Sequence, residues 1–394
     1  MPGLALTLLD APSDLAGAAL MNIRVGGGPL QDLQTLGQSM WLEGIHRGML
    51  RSSEFAKLIA EDGISGVTSN LMIFAKAFAD DPAYGEPVTK LRAAGATGRQ
   101  IYQRLSIEDI RGAADQLRRI YNNTGRRDGY ASIEVSPALA YDTDGTVAEG
   151  RGLFNEIDRP NIMINVPATA EGVCAIRRLI AAGINVNATL IFGTRRYREV
   201  AEAYLSGLED RAVENRALAD VASVASVFVS GIDTLVDSAL GASQHSGEAE
   251  RAQRLRGKAG IAVAGFAYQE YKGLIASPRW QALAAGHARS QRLLWASTSI
   301  KNPAYSDLKY IDGLIGRDTV STVSLSTLRA FLDHGVPRPT LASDLLDVAA
   351  LPGELQEAGI DLDQVSRQLE REGIEAFTAS MNVLEARLVS GSTV

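Results

Sequence analysis

Cysteine, histidine and lysine are scarce in this chain of 394 residues, and each shortage excludes something. The single cysteine, Cys174, allows no disulfide within the chain, so a core must hold the fold and a reducing, cytoplasmic setting is expected. It lies in Gly172-Val-Cys-Ala-Ile-Arg-Arg178, an amphipathic helix pattern, and is read as a buried packing residue. His46, His245, His287 and His334 are scattered without paired metal-ligand spacing, so no metal is expected. His46 stands out only because it follows Glu43 by three residues. No lysine occurs between Lys90 and Lys258, which leaves the middle of the chain without an amine nucleophile. No apolar run is long enough to cross a bilayer. With a net charge of −7 and no block of Lys and Arg, nucleic acid is not an expected partner. A small-molecule substrate is the expected partner, and a homodimer is left open. No Gly-x-Gly-x-x-Gly follows an early strand, which removes support for a dinucleotide fold.

What is present is ordinary globular composition, 46% hydrophobic and 22% charged. The first residues lack the basic region of a secretory signal. Residues 1–35 read as a poorly ordered tail containing the flexible Gly26-Gly-Gly-Pro29, and Met21 offers an alternative start to Met1. Residues 36–394 read as one domain. Its clearest strand-like runs are Gly63 to Ser69, Tyr130 to Val135, Asn161 to Val166, Gly183 to Phe192, Ala225 to Ser230 and Arg292 to Ser297. Between them, Asp109 to Tyr121, Thr194 to Ala212 and Ala259 to Ser277 repeat apolar residues at helical spacing. Alternating apolar strands and helices predict a parallel sheet covered by helices, here a single (β/α)8 TIM barrel with extra N- and C-terminal helices. The charged segment Asp361 to Leu388 reads as one or two helices packed on the barrel, with Ile374 and Phe377 on one face.

Polar residues gather where strands should end: Glu43, Thr68, Ser69, Asn70, Glu134, Asn165, Asn187, Thr189, Ser226, Ser297, Ser299 and Lys301. In a parallel barrel all such ends meet at one face. Taken singly, each also fits a structural hydrogen-bonding role; together they point to a pocket. A carboxylate between Ile133 and Val135 is costly to bury without a partner or a purpose, so Glu134 is the best acid/base candidate.

The runs Gly66-Val-Thr-Ser-Asn70, Ser132-Ile-Glu-Val-Ser136, Asn185-Val-Asn-Ala-Thr-Leu-Ile-Phe192 and Leu294-Trp-Ala-Ser-Thr-Ser-Ile-Lys-Asn-Pro-Ala-Tyr-Ser-Asp307 resemble transaldolase in its longer bacterial form. The resemblance extends from about residue 36 to the C-terminus and takes in Arg196-Tyr-Arg-Glu-Val200 and Gly359-Ile-Asp-Leu362. It implies a (β/α)8 barrel that moves a dihydroxyacetone unit between phosphosugars without a metal or organic cofactor. It implies a water-holding role for Glu134 with Thr189 and substrate contacts at Asn70, Asn187 and Ser226. It also implies a phosphate loop from Ser297 to Lys301.

Other positions depart from the family pattern. Asn165 stands where the resemblance implies a Schiff-base lysine, and Glu43 where it implies an acid/base aspartate. Gly231 replaces a phosphate-binding arginine and Leu71 a proline; Gly193, Ser321 and Ser324 differ as well. An asparagine amide neither ionises nor attacks a ketone. These departures lead to the expectation of a barrel repurposed for acid/base chemistry without an imine, as a lyase, isomerase, cyclase or group-transfer enzyme on a polar substrate. Glu134, Glu43, Asn165 and Thr189 would be its catalytic residues, and transaldolase activity through a Schiff base would be absent. A conventional transaldolase and a non-catalytic sugar-phosphate-binding protein are the alternatives.

Overall fold

The computed structural model describes residues 28–69, 71–241, 246–341 and 349–390. Eight strands run in chain order: β1 Gln38–Glu43, β2 Gly66–Thr68, β3 Ala131–Glu134, β4 Ile162–Pro167, β5 Val186–Ile191, β6 Ser223–Phe228, β7 Arg292–Ala296 and β8 Thr319–Val323. Each pairs in parallel with the next, and β8 closes on β1 with Gln38 opposite Thr319 and Leu42 opposite Val323. Helices return each strand to the same end, so this is the expected (β/α)8 barrel. Strand β8 is absent from the runs read as clearest, because Thr319-Val-Ser-Thr-Val323 looks polar. Its threonines suit a pleated strand, and Gln38 Nε2 donates to Thr319 Oγ1 at 2.9 Å across the closing seam.

Side chains alternate along each strand, so every second residue enters the barrel. Trp41, Met163, Val224, Leu294 and Val320 fill its middle. Fully burying a side chain of this kind contributes about 1.5–3 kcal/mol. Below this layer, at the N-terminal end of the strands, lies a buried ionic plug. Asp128 accepts from Ser39 Oγ at 2.7 Å, Trp41 Nε1 at 3.0 Å and Arg292 Nη2 at 2.9 Å. Arg292 Nη1 also donates to Ser39 Oγ at 2.8 Å. Burial alone would raise the Asp128 pKa, but Arg292 and the two neutral donors outweigh it and hold the carboxyl below its ordinary range. The polar strand ends form the layer above.

Two terminal helices complete the core. Pro29–Thr35 falls inside the stretch read as a tail, yet it is helical and buries Leu30 and Leu33; residues 1–27 lie outside the described residues. At the other end, Leu362–Ser390 is one helix of 29 residues. It docks on the long helix Gly98–Asn123, which opens with a capping box between Thr97 and Gln100. The backbones meet so closely that a Cβ on Gly98 would lie 2.1 Å from the carbonyl oxygen of Glu385, so only glycine fits there.

Cys174 corrects an expectation, because it is exposed. Its helix, Ala170–Ala182, buries Gly172, Ala175, Ile176, Leu179 and Ile180, and that stripe turns Cys174 outward. Among the described residues, no helix is long and apolar enough to cross a membrane.

Candidate active site

Eight of the residues singled out at strand ends meet in one cavity at the C-terminal end of the barrel. Glu43 on β1, Thr68 on β2 with Ser69 just after it, Glu134 on β3, Asn165 on β4, Asn187 and Thr189 on β5 and Ser226 on β6 all line it. Register explains the convergence. Glu134 sits opposite Asn165, Asn165 opposite Asn187, and Pro167 opposite Thr189, so the inward-facing polar residues climb around one wall.

Local backbone aims these groups. Gly44 follows Glu43 with φ of +86°, and a Cβ there would lie 2.6 Å from Ile73 Cγ2, so glycine alone permits this turn. On β5 the pairing with β6 shifts between Ala188 and Ile191, and Leu190 takes a φ of +61°. Such a bulge beside a pocket re-aims its neighbours at the expense of local strain. Here Asn187 and Thr189 face the cavity.

Hydrogen bonding separates committed from uncommitted atoms. Ser226 Oγ donates to Asn187 Oδ1 at 2.6 Å, which leaves the Asn187 amide nitrogen to donate elsewhere. Asn165 is 3% exposed, and its Oδ1 finds no hydrogen-bond partner among the described residues; neither does Ser69 Oγ on the same wall. A buried polar atom without a partner costs about 1–3 kcal/mol, so a ligand with matching groups would be favoured there. Behind Glu134 lies Tyr102. Burial first, and then the carboxylates of Glu134 and Glu149, push its phenol above the ordinary range, so it remains protonated beside them.

Not every expected residue joins this cavity. Ser297 lies off it, with its hydroxyl 2.8 Å from Ser230 Oγ, and Lys301 is exposed. Asn70 is outside the described residues. His46 caps the helix Arg47–Arg51, accepting from Met49 N, and its Nδ1 lies 2.7 Å from Asp81 Oδ2, so its role is structural. Among the described residues no lysine lines the cavity. The least exposed of them near a strand end, Lys309, pairs with Asp233 at 2.7 Å instead.

Other lining groups escaped the sequence reading. Phe228, Thr322 and Phe377 join the wall, and Phe377 arrives from the C-terminal helix. Its helical spacing with Ile374 marks an apolar face, but nothing local shows that this face closes a barrel mouth. Beside it, a Cβ on Gly231 would have its nearest neighbours, Leu369 Cδ2 and Phe192 Cε1, at 3.7 and 3.8 Å. The position of the missing arginine is therefore walled by apolar groups. With the helix in place the cavity measures only about 30 Å³, room for one or two waters.

Comparison with known proteins agrees with this geometry. A family model described as "Transaldolase/Fructose-6-phosphate aldolase" matches residues 40–388. "Transaldolase" from Thiobacillus denitrificans is 44% identical over 358 residues, covering 91% of this chain and 99% of that protein. "Transaldolase" from Saccharopolyspora erythraea is 44% identical over 356 residues, covering 90% and 95%. "Transaldolase 2" from Nostoc sp. is 40% identical over 370 residues, covering 91% and 97%. These relatives overturn the expectation of a barrel turned to other chemistry on another substrate. Identity at this level over nearly the whole of both chains favours the conventional alternative. The sequence reading gave too much weight to a few departures within a largely kept pattern.

Proposed function

From a chain that belongs to the transaldolase/fructose-6-phosphate aldolase family, we propose the reaction for which its relatives are named: transfer of a dihydroxyacetone unit from a ketose phosphate to an aldose phosphate. The observation that carries this reading is the identity of 40–44% to several transaldolases across nine tenths of the chain. The cavity supports it with two carboxylates, two amides and five hydroxyl-bearing residues at the end of the barrel where such enzymes do their chemistry.

In this reading the donor's C3–C4 bond breaks as its C4 hydroxyl gives up a proton. The electron pair passes into the three-carbon unit and onto its C2 carbonyl oxygen. The acceptor aldehyde takes that carbanion, and the proton returns to the new hydroxyl. Glu43 occupies the acid/base position, while Glu134 and Thr189 hold the water that relays the proton. Asparagine forms no imine, so the Asn165 position holds the ketone by hydrogen bonding, with the Asn187 amide as the second donor to the developing oxyanion. One well-placed donor of this kind contributes about 2.7–4 kcal/mol to transition-state stability.

The test is to incubate the protein with fructose 6-phosphate and erythrose 4-phosphate and to measure the three-carbon transfer. A parallel sample receives borohydride. Transfer without a trapped adduct is the expected result. Transfer with an adduct on a lysine would remove the role given to Asn165 and leave the function standing. No transfer under either condition would overturn the function.

A further inference from the structure

A second cavity lies at the opposite end of the barrel from the one just described. It measures about 280 Å³ and opens beneath the N-terminal ends of the strands. Four guanidinium groups border it, those of Arg126, Arg127, Arg289 and Arg292, with the Ser290 hydroxyl beside them and Met163 on its floor. No carboxylate lines it.

The countercharges are fewer than the cations. Arg126 pairs with Asp220, Arg127 with Asp318 at 2.9 Å, and Arg292 with Asp128 at 2.9 Å. Asp128 is already shared with Ser39 and Trp41 inside the plug. Arg289 has no carboxylate partner among the described residues. Its Nε donates to the Ala219 carbonyl and its Nη1 to the Gly125 carbonyl, each at 2.8 Å. Carbonyl oxygens fix the plane of a guanidinium without neutralising it. The cavity therefore keeps a positive excess in a chain whose net charge is −7.

The Asp220 and Asp318 pairs are solvent-exposed, and such pairs contribute little and rearrange readily. Ser290 Oγ accepts from Tyr271 at 3.2 Å, which leaves its own proton to donate. Forked guanidinium donors plus a hydroxyl match the oxygens of a phosphate group. The volume and the apolar floor match a small organic body attached to it. At the N-terminal face of such a barrel, side chains ordinarily serve stability, as the two carbonyl bonds of Arg289 do, but its charge is left without a carboxylate among the described residues.

We propose that this cavity is a second ligand site that takes a small phosphate-bearing molecule, with the phosphate held by Arg289, Arg126 and the Ser290 hydroxyl. The proposal does not depend on the reaction at the other mouth.

Titration calorimetry of the full chain with inorganic phosphate and with glycerol 3-phosphate tests it. Saturable binding is expected, weakened about tenfold or more in Arg289→Ala and in Arg126→Ala, the loss of one charge-assisted contact. Asp220→Asn frees Arg126 and should tighten binding, an outcome that no folding defect mimics. Asn187→Ala, at the opposite mouth, should leave it unchanged. No saturable binding to the native protein overturns the proposal. So does binding that ignores all three changes at the N-terminal face or is lost in Asn187→Ala.

Discussion

On the proposed reading, Asn165 holds the donor ketone by hydrogen bonds where the family resemblance implies a covalent imine. If the hydrogen-bonding role is right, Asn165→Ala and Asn187→Ala should each lower kcat by about 10²–10³-fold, the effect of removing one donor to a developing oxyanion. KM should move less. Steady-state kinetics with fructose 6-phosphate as donor will show this, and an unchanged kcat in Asn165→Ala would remove that residue from the chemistry. Glu134→Gln and Glu43→Gln keep shape and lose basicity, so each should cost at least about 10²-fold in kcat. The inward-facing polar residues were legible in the sequence because strands alternate, and Glu134, Asn165, Asn187, Thr189 and Ser226 meet in one cavity. Phe377 belongs to the same cavity for reasons of tertiary packing, which no local pattern announces.

Among the elements, the C-terminal helix has the most direct bearing on turnover. It brings Phe377 over the cavity, and about 30 Å³ cannot admit a phosphosugar. If the substrate is a phosphosugar, the mouth has to widen to admit it, and the helix that carries Phe377 is the element expected to move. Hydrogen exchange during steady turnover should show faster exchange in 362–390 than in the resting protein, while strand amides of β4 and β5 stay protected. Unchanged exchange in an active sample would mean that another element opens the mouth. The sequence showed this helix through its charge pattern and apolar spacing, and it showed six of the eight strands as apolar runs. It did not mark β8, whose serine and threonines look polar until the barrel closes around them. It also hid the helix Pro29–Thr35, too short to stand without the core that buries Leu30 and Leu33.

For the whole molecule, the barrel is a stack of three layers: an ionic plug, an apolar middle and a polar mouth. Asp128 anchors the plug, and Asp128→Asn leaves Arg292 buried without its countercharge, a change that costs about 3–5 kcal/mol. Because the folded pKa of Asp128 is depressed, its contribution is present above the ordinary carboxylate pKa and is lost as pH falls through the depressed value. Denaturant unfolding should thus show a large deficit for Asp128→Asn at pH 7 that shrinks below about pH 4. A deficit that persists unchanged in acid would mean that packing, and not charge, is what the substitution removes. The mouth is where the proposed transfer of a three-carbon unit would take place. The measurement that tests this most directly is product formation from fructose 6-phosphate and erythrose 4-phosphate by the native protein beside Glu134→Gln. The account predicts transfer by the native protein and its loss, by about 10²-fold or more, in the variant. Absence of transfer by the native protein, or equal transfer by both, would contradict it.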